Sequence, residues 1–138
     1  MRIVIDANVF VSYFLGNLVR EKLDRILLDA RIVLLASDAL LAEIRDVFSR
    51  PKFRKHISPA QLEHLLTTLD RRAEKIDTQS NVALARDVKD DFLLVLCREG
   101  KADFLISGDS DLLVLGVFEG TSILTLSSFE QIWAMPEQ

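Results

Sequence analysis

The stretch that decides the fold is MRIVIDANVF, residues 1–10, in which the apolar run Ile3, Val4, Ile5 stops at Asp6 and continues as Ala7 and Asn8. A short run rich in β-branched residues is what a strand buried on both faces of a parallel sheet requires. Ligands of open α/β sheets gather beyond the carboxyl ends of such strands, so an acid placed there is a candidate for chemistry. Asp and Asn also form turns well, and a lone strand-end Asp has that simpler explanation. Asp6 marks a site only where the rest of the chain supplies further acids at equivalent places.

Outward from this strand, Asn17 caps an expected helix over residues 18–30, with Leu23, Ile26 and Leu27 as its apolar stripe. Residues 32–36 read as a second strand. Ser37 then caps a helix that reaches Arg50 and stops at Pro51, because proline disfavours helical geometry in the residue before it. The stripe of that helix is Leu40, Ile44, Val47 and Phe48, and Glu43 borders it. The basic segment RPKFRKH at residues 50–56 reads as a loop in which Arg50, Lys52, Arg54 and Lys55 are candidate phosphate contacts. Ser58 and Gln61 have capping-box spacing, with Pro59 in the first turn of a helix carrying Leu62, Leu65, Leu66 and Leu69. A short extended piece is expected around Ile76.

The densest block is DVKDDFLLVLCREGKADFLISGDSDLLVL, residues 87–115. Asp90 and Asp91 open a helix that Gly100 ends, and a pair of acids at a helix N-terminus complements its macrodipole. One acid suffices for a cap, so the second is left over. Residues 102–107 form another strand, and it too runs into acids: Ser107, Gly108, Asp109, Ser110, Asp111. A short helix over 111–117, a strand over 122–126 and a helix over 128–135 complete the chain. Strands alternating with helices give βαβ units, hence an α/β fold of three αβα layers around a mostly parallel sheet of four or five strands.

At 138 residues the chain has the size of one domain, taken as 1–138, and 49% hydrophobic residues give it a core. No apolar stretch reaches the roughly 18 residues of a membrane span. The N-terminal run lacks the features of a secretory leader, which makes the cytoplasm the expected compartment. A single cysteine, Cys97, excludes a disulfide framework and a cysteine zinc cluster. Seventeen basic against 21 acidic residues, net −4, is not the charge of a strongly basic nucleic-acid binder. Any contact with nucleic acid is then local, metal-assisted or completed by a partner.

Asp6, Glu43, Asp91 and Asp109 can converge on one pocket of such a fold. Clustered carboxylates repel one another and hold their protons more tightly unless cations are present. Mg²⁺ or Mn²⁺ resolves this, since both take oxygen ligands and leave room for phosphate oxygens. One or two such ions suit phosphodiester hydrolysis by an activated water, with no side-chain nucleophile.

The ordered set IDANVFVS, ALLAEIRDVFSRPKF, DVKDDFLLVLCREGKADFLISGDSDLL and ILTLSSF resembles the PIN-domain family, most closely its toxin branch of toxin–antitoxin systems. The likeness covers nearly the whole chain. It implies a Mg²⁺- or Mn²⁺-dependent ribonuclease, often a homodimer, neutralised by a cognate antitoxin protein. The family's acids fall on Asp6, Glu43, Asp91 and Asp109, with Asp111 competing for the fourth place and Asp90 beside the third. Asn8 and Ser107 match polar positions that orient the acids or a water. Where the family usually has proline after the first Asp of the third block, this chain has Val88.

Two other classes use similar materials. A strand-end-acid phosphatase needs a second Asp two positions after the first, where this chain has Asn8, and a receiver domain needs an acidic pair near the first strand. A non-catalytic PIN-like scaffold would carry the cost of clustered carboxylates without a metal.

Overall fold

A computed structural model describes residues 1–78 and 91–135, with the backbone alone at residues 17 and 91. Strand β1 (Arg2–Ile5) leads into helix α1 (Ala7–Leu15), and α2 (Asn17–Leu28) leads into β2 (Val33–Ala36). Helices α3 (Asp38–Phe48), α4 (Pro51–Arg54) and α5 (Pro59–Arg72) then precede the two-residue strand β3 (Glu74–Lys75). The second half runs α6 (Asp91–Glu99), β4 (Phe104–Ile106), α7 (Ser110–Leu113), β5 (Val117–Phe118), β6 (Thr121–Leu124) and α8 (Leu126–Trp133).

The strands form one six-stranded sheet in the order β3-β2-β1-β4-β6-β5, parallel except for the β5–β6 pair. From β1 the chain builds outward to one side through β2 and β3, then crosses back to place β4 on β1's other flank. The strand order therefore reverses at the β1–β4 boundary, where an open sheet leaves a crevice at its carboxyl edge. Ile3, Val4 and Ile5 are all fully buried, because helices cover both faces. Leu34 faces a groove shared with α1, α2 and α5, while its neighbour Leu35 meets Gly100 at the end of α6.

Several local readings are corrected. Helix α1 was not anticipated: its valines and aromatics are mediocre helix formers, and burial of Ala7, Val9, Phe10 and Val11 outweighs that weakness. Gly16, not Asn17, occupies the N-cap position of α2. The basic segment is not wholly loop, since Pro51 starts the one-turn helix α4. The helix expected over 111–117 is only α7, because Gly116 and Gly120, at φ 68 and 88, turn the chain into the β5–β6 hairpin. The extended piece expected around Ile76 is β3, and the two-residue strand β5 is too short to leave a periodic signal, so six strands stand among the described residues where four or five were expected. Helix α8 starts earlier than residue 128, with Thr125 as its cap.

The capping expectations for Ser37 and Ser58 are met, the latter as a full capping box with Gln61. Among the described residues no helix is long and apolar enough to cross a membrane.

Candidate active site

Asp6 joins the carboxyl end of β1 to α1. It occupies the N-cap position with an extended backbone, φ −64 and ψ 146, yet its side chain caps nothing. The turn-forming explanation thus accounts for its backbone and leaves its carboxylate unused. That carboxylate is 5% exposed and accepts a hydrogen bond at 2.9 Å from the hydroxyl of Ser107, which is 1% exposed. Register explains the meeting: Ile5 pairs with Ile106 across β1 and β4, and the Asp6 amide donates to the Ile106 carbonyl at 3.0 Å. Residues 6 and 107 therefore emerge side by side at the crevice.

The Ser107 Oγ has a second duty, accepting from the Asp109 amide at 3.0 Å. One buried hydroxyl thereby fixes two acids. Its own backbone is anchored by the Leu124 carbonyl of β6, 3.0 Å from the Ser107 amide. Asp109 Oδ1 accepts from the Asp111 amide at 2.9 Å and so caps α7. Asp109 is half-buried, whereas Asp111 is exposed.

Burial raises the Asp6 acid above its ordinary value, and the charge of Asp109 pushes the same way. The Ser107 hydroxyl opposes this most, helped by the Asn8 and Ala7 amides, which face the carboxylate without closing a cap. This is a site where a positive charge would be welcome. The donors are carboxylate and hydroxyl oxygens, the set that suits a hard divalent cation and not a soft one.

The remaining acids are positioned by topology. Because β2 is parallel to β1, Ser37 starts α3 at the same sheet edge as Asp6, and Glu43 stands half-buried within its first two turns. Helix α6 returns to β4 through the short turn 100–103, so its first residue, Asp91, belongs to that carboxyl edge as well. The side chain of Asp91 and the whole of Asp90 lie outside the described residues. Among the described residues, no three His, Cys, Asp or Glu side chains gather closely enough to hold a metal.

The basic segment lies elsewhere. Arg50, Lys52, Arg54 and Lys55 follow the far end of α3, a helix of 11 residues and hence about 16 Å long. Arg50 pairs with Asp46 at 3.4 Å, Arg54 Nε donates to the Ser49 carbonyl at 3.0 Å, and Lys52 lies over the Phe53 ring.

A cation nearer the acids had no signal in the sequence. Lys22 of α2 lines a cavity of about 470 Å³ together with Asn8, Ser107 and Asp109. A lysine in an amphipathic helix is unremarkable until the fold brings that helix to the crevice. A larger apolar groove of about 780 Å³ between α1, α2 and α5 contains none of the acids, so chemistry points to the smaller cavity.

The PIN domain family model matches residues 2–111, from the first strand through the last of these acids, and the chain belongs to that family. PIN domains are typically nuclease domains. Among solved structures, the PIN domain of RRP44 from T. brucei is similar at 16% identity and a TM-score of 0.47, over 95% of this chain and 80% of that one. Curated proteins give no match.

Proposed function

We propose that this PIN domain is a Mg²⁺- or Mn²⁺-dependent endoribonuclease that hydrolyses RNA phosphodiester bonds and acts as the toxin of a toxin–antitoxin pair. The observation that carries the nuclease reading is the Asp6–Ser107–Asp109 arrangement, with Asp6 and Ser107 buried, at the strand-order reversal. Asp6, Asp91 and Asp109 would hold the cation, with Glu43 and Asp111 at its margin; Asp6, Glu43, Asp91 and Asp109 are the proposed catalytic acids. When bound, a divalent cation supplies positive charge for the phosphate oxygens and makes water a better nucleophile at neutral pH.

The chain's own part is positional. Ser107 bonds the Asp6 carboxylate and the Asp109 backbone amide and so ties both acids to one hydroxyl, and burial of Asp6 keeps water from competing for its oxygens. Unaided, these ionised groups repel the phosphates of RNA, a repulsion that the cation offsets at the scissile phosphate. Covalent catalysis by Cys97 is disfavoured, since burial pushes its thiol up to about 12. The toxin role, the antitoxin partner, the homodimer and the cytoplasmic setting rest on the ordered motifs of the toxin branch.

Replacing Asp6 tests the reading, because Asp6→Asn keeps the shape and removes the charge. RNA cleavage should cease with the fold retained, and Mn²⁺ should raise the melting temperature of the parent more than that of the variant. Undiminished cleavage by Asp6→Asn overturns the site. Absence of any melting shift at millimolar metal favours the non-catalytic scaffold. Growth arrest on expression, abolished by Asp6→Asn and relieved by a co-expressed antitoxin, is the outcome expected of a toxin.

A further inference from the structure

We infer that the cavity between α1, α2, α8 and the turn after β4 seats one nucleotide of single-stranded RNA next to the scissile phosphate, with Lys22 meeting a neighbouring phosphate. The inference rests on the ribonuclease reading and adds to it the place and polarity of substrate binding. The cavity, about 470 Å³, falls in the range of roughly 300–1,000 Å³ that ligand sites occupy. Ser107, Gly108 and Asp109 form one wall, so an occupant lies in contact with the residues that carry the proposed chemistry.

The remaining walls suit a nucleotide. Val9, Val19 and Leu126 offer apolar surface to a base, while Asn8, Ser12 and Ser127 bring polar side chains that are exposed. The space beside Gly108 is open, since a Cβ built there meets nothing within 4 Å.

Charge distinguishes the two ends. Lys22 is 19% exposed and pairs with Glu130 of α8 at 3.0 Å, and Arg25 approaches the same carboxylate at 3.6 Å. Two cations share one anion, which leaves a net positive charge on this flank. Asp109 makes the opposite flank negative. A polyanion threading past the acids therefore finds compensation at Lys22. Holding Lys22 by Glu130 also fixes the ammonium in place before RNA arrives, which lowers the ordering cost of binding.

The test is equilibrium binding of a short fluorescein-labelled single-stranded RNA to the full chain in EDTA, read by anisotropy across a salt series. Lys22→Gln should weaken binding and lower the slope of log Kd against log salt by about 0.7, the value for one phosphate contact on a single strand. Ser127→Trp, which fills the cavity from α8, should raise Kd about tenfold or more; Ser12→Trp, from the opposite wall, serves should that variant fail to fold. Asp6→Asn keeps binding in EDTA while losing cleavage. Parent-like Kd and salt slope in Lys22→Gln, with parent-like Kd in the tryptophan variants, overturn the cavity assignment even where Asp6→Asn is inactive. Cleavage by Asp6→Asn instead overturns the underlying site, whatever the cavity variants do. An absence of binding by the parent in EDTA overturns the cavity assignment and leaves the cleavage assay of Asp6→Asn to decide the underlying site.

Discussion

Replacing Ser107 with alanine removes one oxygen and two hydrogen bonds at the point where the proposed site and the core meet. The bond to Asp6 Oδ2, at 2.9 Å, is donated to a carboxylate that is 5% exposed, so water replaces it poorly. A bond to a charged group contributes about 1.5–3 kcal/mol, and the bond accepted from the Asp109 amide about 1 kcal/mol. Together the loss is about 2–4 kcal/mol. For 138 residues, an unfolding entropy of about 2.1 cal/mol/K per residue turns that into a fall of about 7–14 °C in melting temperature.

The same change acts on the chemistry. The Ser107 hydroxyl is the strongest of the influences that hold the Asp6 acid down against burial. Without it the acid climbs further, and an activity that needs Asp6 ionised loses its acid limb at higher pH than the parent. Loss of an orienting hydrogen bond behind a ligand typically costs about 10–100-fold in activity or metal affinity. Differential scanning calorimetry and a pH–rate profile on RNA measure both effects. A melting point within about 2 °C of the parent, with cleavage within about twofold at every pH, would refute the claim that Ser107 ties Asp6 to Asp109.

Two further outcomes follow from charges elsewhere. The Asp29 carboxyl sits well below the usual range, chiefly through the Arg31 side chain and amide, with the Trp133 indole donating at 2.8 Å. Its contribution to stability is therefore present above the unfolded value of about 3.8 and lost as pH falls towards the lower folded value. Asp29→Asn should unfold at lower urea than the parent at about pH 6, and the difference should shrink steadily as pH falls below about 3.8; a constant difference from about pH 6 to about pH 2 contradicts the pairing. Charge reversal of Lys52, Arg54 and Lys55 together tests the basic segment. If all three meet phosphates, the salt slope of RNA binding should fall by at least about 2, and an unchanged slope leaves the segment as a solvated surface.

The layered α/β fold was legible in the sequence because its signals are local and strong. Ile3–Val4–Ile5 has no polar residue to present to water, the Ser58–Gln61 pair encodes a helix start within four residues, and Gly100 and Pro51 stop their helices for backbone reasons. Helix α1 was missed because its formation is a tertiary effect: Val9 and Val11 disfavour a helix locally and are held in one by burial. The short strand β5 was missed because two residues cannot establish a period.

For the candidate site, sequence alone determined which acids stand at the ends of apolar runs, and tertiary structure decided the company each residue keeps. Acids at the ends of apolar runs follow from residue type and position, so Asp6 and Asp109 stood out before any fold was known. That Ser107 is the hydroxyl joining them depends on the Ile5–Ile106 register across strands separated by a hundred residues, which no local pattern contains. The same holds for the two sets of cations. RPKFRKH is conspicuous in sequence and lies a helix length from the acids, while Lys22 is inconspicuous and lines their cavity. Composition and periodicity record which side chains a segment carries, but the distance between remote segments is set only when the sheet chooses its strand order.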